Sequence, residues 1–315
     1  MHKLPARGIY APTLTFFNPD DDSVDIETTV AHALRLARAG LAGLVIMGSN
    51  GEAPLIEPDE RKAIVSAIRR ALNESGLGAL HLIVGTGAQS LRLTLKQTRD
   101  AAQAGADFAL VLPPSYWPPA MTKPVLSAFF DKVCQQSPIP VLAYNFPLVA
   151  SGINFTSDDL IDIAKRQPNL VGAKLTCGNL GTVQRVSSAL GPERFAVLGG
   201  RSEFVLHGLV GGSHGTIGAL VNVAPAAHVA LYRAYTKGDL KAAQEMQAII
   251  SAADGDVSKL GVAGLKGLVC EIAGWGKDKA SVRSPLLAAK LPPSVFEKGS
   301  SVSRLLQLEA DVSKP

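Results

Sequence analysis

Eight short apolar runs, each followed by a helical pattern, occupy the first 238 residues. Most of the runs lack the polar–apolar alternation of a half-exposed strand, as expected for strands buried on both faces. The predicted strands are 9–16, 44–47, 81–84, 108–112, 141–144, 170–174, 195–198 and 215–219. The predicted helices are 25–39, 58–72, 91–104, 124–135, 157–165, 180–190, 203–210 and 226–237. Eight consecutive repeats predict an α/β fold whose parallel sheet closes into a (β/α)8 TIM barrel rather than an open doubly wound sheet.

The strand pattern stops after Lys237. Helical patterns without strands cover 240–253, 257–272 and 293–308. We therefore predict three parts, which are a barrel in 1–238, a C-terminal helical region packed on it in 239–308, and a flexible tail in 309–315. Within the barrel, Ser157 is the predicted N-cap of the fifth helix, with two aspartates in the first turn.

The composition is that of an ordinary globular enzyme or binding protein. The chain has 315 residues, of which 47% are hydrophobic and 18% charged, and its net charge of +4 is not gathered in a basic block. We therefore expect no nucleic-acid or membrane partner. Three widely spaced cysteines without metal-ligand spacing, Cys134, Cys177 and Cys270, favour a reducing compartment. The first residues lack the apolar core of a signal peptide, and we expect a cytoplasmic location.

Lys174 is the most informative residue, because it ends an otherwise apolar strand. Residues at the carboxyl ends of barrel strands face the active site in this fold. An apolar environment lowers the pKa of an amine, and a neutral amine is a nucleophile toward ketones. The alternative is a strand-end lysine whose amine reaches solvent, and the local sequence leaves both open.

Three other strand ends carry further candidates. Tyr144 ends the preceding strand, where its phenol is either a proton carrier or an aromatic core residue bonded to backbone. The 48–51 loop, Gly-Ser-Asn-Gly, either binds a carboxylate through its N–H groups and the Ser49 hydroxyl or is simply a strand-to-helix turn. The Gly-Gly pair at 199–200 allows either close ligand approach or tight packing.

Three motifs, taken in order, are characteristic of a known family. They are Gly-Ser-Asn-Gly-Glu at 48–52, Tyr-Asn-Phe-Pro at 144–147 and Gly-Ala-Lys at 172–174. With them, the chain from about residue 9 to 287 resembles the dihydrodipicolinate synthase/N-acetylneuraminate lyase family of class I aldolases. The similarity includes Gly-Thr-Ile-Gly at 215–218 and Gly-Leu-Lys at 264–266.

The resemblance implies four catalytic roles. Lys174 matches the lysine that forms a Schiff base with pyruvate or another 2-oxo acid, without a cofactor or metal. Tyr144 matches the tyrosine that shuttles protons, and Ser49 matches the hydroxyl residue that relays them. Tyr116 is similar to a tyrosine that a neighbouring subunit inserts into this relay, so the resemblance also implies a homodimer or a homotetramer built from such dimers.

The resemblance also implies a binding site for the 2-oxo acid. The backbone N–H of Asn50 would bind the substrate carboxylate, with Gly51 completing the loop. Gly200 and Ile217 match positions that line the pyruvate pocket.

Departures from the family pattern indicate the subfamily. Val149 stands where synthases of the lysine pathway carry an arginine for the aldehyde's carboxylate, and an aliphatic side chain cannot replace a guanidinium. Ser49 and Asn50 replace the usual Thr-Thr of those synthases. The Ser-Asn pair is similar to 4-hydroxy-2-oxoglutarate aldolases and to fungal 2-keto-3-deoxy-L-galactonate aldolases, and the latter also share the 175–179 segment.

We therefore expect retro-aldol cleavage of a 2-keto-3-deoxy sugar acid or of 4-hydroxy-2-oxoglutarate, giving pyruvate or glyoxylate plus an aldehyde or pyruvate. One alternative is a condensation of pyruvate with an aldehyde, as in dihydrodipicolinate synthesis. Another is a non-catalytic sensor that binds a 2-oxo acid on the same scaffold.

Overall fold

The structure, a computed structural model, describes residues 3–313. Residues 1–2 of the N-terminal segment and residues 314–315 of the predicted tail lie outside the described residues. The strands are β1 (Gly8–Pro12), β2 (Gly43–Ile46), β3 (His81–Gly85), β4 (Phe108–Val111), β5 (Val141–Asn145), β6 (Leu170–Leu175), β7 (Ala196–Gly199) and β8 (Gly215–Ile217). The helices are α1 (Ile26–Ala37), α2 (Pro58–Glu74), α3 (Leu91–Gln103), α4 (Lys123–Gln136), α5 (Ser157–Arg166), α6 (Leu180–Leu190), α7 (Val205–Val210), α8 (Pro225–Thr236), α9 (Leu240–Ser258), α10 (Gly261–Ala273) and α11 (Ser301–Val312).

The eight strands form a closed parallel barrel in chain order, and β8 returns to pair with β1. The predicted (β/α)8 TIM barrel is therefore confirmed. One apolar cluster with members on all eight strands fills the barrel interior. Its buried residues are Tyr10, Val45, Ile83, Phe108, Leu110, Leu142, Tyr144, Val171, Leu198 and Ile217. This packing brings the carboxyl ends of all eight strands together around one opening.

Helix α5 begins one residue earlier than its predicted cap implied. Thr156, not Ser157, is the N-cap: its hydroxyl accepts a hydrogen bond from the Asp159 N–H at 3.2 Å. The Asp159 carboxylate accepts in return from the Thr156 N–H at 2.9 Å. This reciprocal capping box satisfies two N–H groups, which Ser157 as the cap would leave without these partners.

The C-terminal region is helical, but its last helix is displaced from the predicted range 293–308. Residues Pro293–Phe296 form a single 3-10 turn, and α11 starts only at Ser301. The Ser300 hydroxyl caps α11 by accepting from the Ser303 N–H at 3.0 Å. A capped start fits the rule that serine favours the cap position over the helix interior.

Helix α11 continues past the predicted start of the flexible tail at Glu309. The Glu309 carboxylate accepts hydrogen bonds from the N–H groups of Ala226 and Ala227 at 3.0 and 2.7 Å. These groups belong to the first turn of α8, where a carboxylate is stabilised by unpaired N–H donors. Residues 309–312 are thus a docked helical end. Among residues 3–313, no helix is both long and apolar enough to cross a membrane.

The seam between β1 and β8 allows a direct test of the closed barrel. Gly215 has φ +154°, and a Cβ built on it would lie 1.7 Å from the Gly8 carbonyl oxygen. We expect Gly215→Ala to lower the free energy of unfolding by about 2 kcal/mol or more, because backbone must move to admit the methyl group. The matched control is Gly255→Ala in α9, where a Cβ meets no atom within 4 Å. Loss of a helical glycine there should raise stability by up to about 1 kcal/mol. Urea unfolding measures the free energy of unfolding of both variants. A Gly215→Ala variant as stable as the parent would contradict the close contact between β1 and β8 at this position.

Candidate active site

Strand β6 carries one residue more than its partner β5 requires. Val141 pairs with Leu170, but the next residue, Leu142, pairs with Gly172. Val171 is therefore left between two ladder positions as a β-bulge.

The bulge decides which way Lys174 points. Leu170, Ala173 and Leu175 all pack in the cluster outside the sheet, whereas Val171 packs inside the barrel. Strict alternation from Leu170 would place residue 174 on the outside, because successive side chains alternate between the two faces. The extra residue shifts this parity by one, so the Lys174 side chain enters the barrel.

The Lys174 amine lies against the phenol of Tyr144. Its Nζ is 3.2 Å from the Tyr144 hydroxyl oxygen and 4.3 Å from the centre of the ring. Both residues are buried, with exposed fractions of 4% and 3%. The two alternatives left open by the sequence, an amine in bulk water and a phenol bonded to backbone, are therefore both wrong. This arrangement places an amine, a group that can attack a ketone, within hydrogen-bond distance of a phenol, a group that can carry a proton.

The 48–51 loop forms a 3-10 turn at the carboxyl end of β2. Ser49 and Asn50 are half-buried, and Gly51 is buried, with its carbonyl accepting from the Thr15 hydroxyl at 2.9 Å. Within residues 3–313, the N–H groups of Ser49 and Asn50 and both of their side chains have no hydrogen-bond partner. Adjacent free N–H groups of this kind bind carboxylates.

Gly200 serves close packing between two strand ends. A Cβ at this position would lie 2.0 Å from the Thr176 Oγ1 and 2.6 Å from the Thr176 Cα. The Gly200 N–H donates to the Leu175 carbonyl at 2.9 Å. Ile217 is fully buried in the same interior cluster as Tyr144 and forms part of the apolar lining beneath the opening.

Thr176 is a candidate that the sequence analysis missed. It follows Lys174 by two residues, and in the described part of the chain its buried hydroxyl has no hydrogen-bond partner. A buried hydroxyl without a partner is costly unless a ligand supplies one. The two-residue spacing from Lys174 was the available signal, since it places both side chains on the same side of the strand.

The structure does not bring Tyr116 to Lys174 within a single chain. Its side chain is on the surface with an exposed fraction of 73%, and its ring contacts that of Trp117 edge-on at 5.0 Å. The Tyr116 N–H donates to the Gln89 side chain at 2.9 Å, which fixes the backbone of this loop. Val149, on the next loop, is 44% exposed.

A buried hydrogen-bond network supports the segment that follows Gly200. Burial lowers the pKa of His228 to about 4, so its imidazole is neutral at pH 7. One ring nitrogen lies 2.7 Å from the Ala224 carbonyl, which can only accept, so the other accepts from the Ser202 hydroxyl at 2.9 Å. Burial likewise raises the pKa of Asp254 to about 6, and its carboxylate accepts from the Glu203 N–H at 2.9 Å. Both groups are structural supports.

The whole length of the barrel and part of the C-terminal region match one family model. The Dihydrodipicolinate synthetase family matches residues 5–292. The chain belongs to this family. Residues 3–313 contain no group of three or more side chains arranged to hold a metal ion.

Relatives within the Dihydrodipicolinate synthetase family carry more specific names. The "Probable 4-hydroxy-2-oxoglutarate aldolase, mitochondrial" of Emericella nidulans is 42% identical over 270 residues, covering 86% of each chain. The "L-threo-3-deoxy-hexylosonate aldolase" of Hypocrea jecorina is 41% identical over 276 residues, covering 85% of this chain and 87% of that one. The solved structure of YagE, a prophage protein of this family from E. coli K12 in complex with pyruvate, superimposes with a TM-score of 0.82 at 26% identity and covers 97% and 98% of the two chains. The chain is thus an enzyme of an aldolase and lyase family.

Replacing the phenol tests the Lys174–Tyr144 pair. We expect Tyr144→Phe to keep the fold and to lower kcat for carbon–carbon bond cleavage by about 10²–10⁴-fold, the usual contribution of a positioned proton carrier. Tyr10→Phe is the matched control, because Tyr10 is a buried barrel tyrosine whose hydroxyl donates to the Ala6 carbonyl at 2.7 Å, near the amino end of β1. It should lose about 1 kcal/mol of stability and keep its kcat. Equal effects of the two substitutions on kcat would remove the special role of Tyr144.

Proposed function

We propose that this chain is a cofactor-free class I aldolase that cleaves a 2-keto-3-deoxy acid through a Schiff base on Lys174. The observation that carries the proposal is the buried Lys174 amine, 3.2 Å from the Tyr144 hydroxyl at the mouth of a closed barrel. The names of the two relatives that are more than 40% identical support the same reaction class.

The first step is binding of the 2-oxo acid. Its carboxylate is held by the free N–H groups of Ser49 and Asn50, with Gly51 allowing the close backbone approach. The ketone carbon is then oriented toward Lys174, which converts a bimolecular attack into an intramolecular one. The complex of the related YagE with pyruvate supports a 2-oxo acid as the ligand.

Cleavage then follows from the chemistry of an imine. The Lys174 amine adds to C2 of the substrate, and the carbinolamine hydroxyl leaves as water with a proton from Tyr144. The resulting iminium draws the electron pair of the C3–C4 bond into a C2–C3 double bond. At the same time the Tyr144 oxygen takes the proton of the C4 hydroxyl, and an aldehyde leaves. Protonation of C3 and addition of water release the 2-oxo acid product and free lysine.

Three further hydroxyl groups and two pocket-lining residues complete this proposal. The Ser49 hydroxyl relays protons between Tyr144 and the substrate, and Tyr116 of a neighbouring copy enters the same relay. The Tyr116 ring is exposed and therefore free to enter the site of a neighbouring copy. Such a role requires a homodimer or a homotetramer. The buried Thr176 hydroxyl, which lacks a partner in residues 3–313, hydrogen-bonds a substrate oxygen, while Gly200 and Ile217 shape the pocket.

The candidate substrates differ in the fragment that leaves as the aldehyde. Val149 supplies no guanidinium at the position where lysine-pathway synthases bind the carboxylate of aspartate semialdehyde, which disfavours the condensation of pyruvate with that aldehyde. The candidates that remain are a 2-keto-3-deoxy sugar acid and 4-hydroxy-2-oxoglutarate. The cytoplasmic location stays a prediction, and the name of the Emericella relative places that protein in mitochondria.

A substrate panel tests this function. We expect pyruvate release, coupled to lactate dehydrogenase, from L-threo-3-deoxy-hexulosonate or from 4-hydroxy-2-oxoglutarate, because both carry a C4 hydroxyl beta to the ketone. Consumption of pyruvate with aspartate semialdehyde should be at least about 100-fold slower, since no guanidinium replaces Val149. A Lys174→Arg control should abolish release. Binding of 2-oxo acids without turnover of any panel member would favour the sensor, and fast condensation would favour the synthase.

A further inference from the structure

A fully buried ion pair joins the C-terminal region to the 48–52 loop. Lys266 on α10 and Glu52 both have side chains with an exposed fraction of 0%, and Lys266 Nζ lies 2.5 Å from Glu52 Oε1. The same amine donates to the Ser281 carbonyl at 2.7 Å. Among the ion pairs within residues 3–313, no other has both partners fully buried. The pair spans 214 positions of sequence.

The second carboxylate oxygen of Glu52 is also engaged. It accepts from the Arg283 N–H at 3.0 Å. The Arg283 guanidinium then holds Glu60 in a two-pronged ion pair at 2.6 and 2.7 Å and donates to the Leu55 carbonyl at 2.8 Å. It also stacks over the Phe17 ring at 4.6 Å. The 281–283 segment therefore binds both members of the buried pair. Through Arg283 it also holds the chain that follows the loop, at Leu55 and Glu60.

Two strained residues bracket the loop. Met47 and Glu52 have φ +57° and +54°, a left-handed conformation that residues with a Cβ rarely adopt. The Met47 carbonyl lies so close to Gly85 that a Cβ there would be 1.9 Å away. Such strain persists only where the surroundings determine the backbone from several sides, and it concentrates at functional sites.

Stability alone is a poor reason for a buried ion pair. Both charges lose their hydration, and well-packed apolar residues of similar volume often stabilise a protein as much or more. Burial lowers the pKa of Lys266, and the attraction of Glu52 offsets part of that lowering. The pair also fixes the position of the Glu52 backbone, because a short bond between two charged groups holds the Glu52 side chain in one place.

We propose that the Glu52–Lys266 pair is a positioning device that holds the Ser49–Gly51 turn so that its free N–H groups meet the carboxylate of the 2-oxo acid. Helix α10 and the 281–283 segment are thereby working parts of the active site, although they contribute no strand to the barrel. This inference rests on the proposed function, since it assumes that the turn binds the substrate carboxylate.

The test replaces both charges at once. Single substitutions leave one uncompensated buried charge and are expected to unfold the chain. The double variant Glu52→Gln with Lys266→Met keeps side chains of similar volume and should fold. We expect its KM for the 2-keto-3-deoxy acid to rise by about 10-fold or more, while kcat at saturation falls by less than about threefold, because binding and not the lysine chemistry is disturbed. The pyruvate concentration that half-saturates borohydride trapping at Lys174 should rise in parallel.

A matched control comes from an ion pair at the opposite end of the barrel. Arg69 and Asp107 lie 2.7 Å apart, and Asp107 also accepts from the Leu82 N–H near the amino end of β3. The double variant Arg69→Met with Asp107→Asn should change the melting temperature but leave KM unchanged. If the Glu52–Lys266 pair were only structural, its double variant would likewise change the melting temperature and leave KM unchanged.

The outcomes separate this inference from the proposed function. If the unmodified protein gives no pyruvate-dependent adduct at Lys174, the proposed function itself is wrong. If the adduct forms and the Glu52/Lys266 double variant has a KM within about twofold of the parent, only the positioning role is wrong. Should that variant not fold, Arg283→Met takes its place, because losing the guanidinium anchors to Glu60 and Leu55 loosens the backbone N–H that binds the second carboxylate oxygen of Glu52. A KM that does not change in Arg283→Met overturns the inference, and a rise supports it.

Discussion

The amine of Lys174 is held inside an apolar barrel against a phenol, and the remaining features of the site serve that contact. The contact exists because of one extra residue in β6. Val171 shifts the alternation of side chains by one position and turns Lys174 from the helix layer to the interior. A lysine in the helix layer would lie outside the barrel, away from Tyr144. The bulge therefore places an amine in the interior of the barrel.

Closure of the barrel brings the groups of the site together at one opening. The carboxyl ends of β2, β5 and β6 lie at residues 46, 145 and 175, yet a parallel barrel directs all of them to the same opening. The phenol, the amine and the free N–H groups of the 49–51 turn thus share one rim. The C-terminal region stabilises that rim from outside, through the Glu52–Lys266 pair and the segment that covers it.

The fold was largely predictable because its signal is local. Each strand is a short apolar run and each helix an amphipathic stretch, so the order of the sixteen barrel elements follows from neighbouring residues alone. The choice of Lys174 and Tyr144 followed from their positions at strand ends and from the family motifs. Errors occurred at helix boundaries, where one hydrogen bond decides, as at Thr156 and Ser300.

What could not be predicted depends on contacts between distant parts of the chain. The bulge is invisible in the sequence, because a strand buried on both faces shows no alternation from which a shift could be read. Glu52 and Lys266 each occur in a family motif, but nothing in either motif indicates that they meet. The exposed Tyr116 likewise depends on a second copy of the chain for its proposed role.

A crystal structure of the protein soaked with pyruvate is the most direct test of the Schiff base on Lys174. We expect continuous density from Lys174 Nζ to C2 of pyruvate. The pyruvate carboxylate should lie against the N–H groups of Ser49 and Asn50, with the Tyr144 hydroxyl beside the new bond. Pyruvate bound elsewhere on the molecule, or bound in the barrel with the Lys174 amine free and turned away, would contradict the Schiff base.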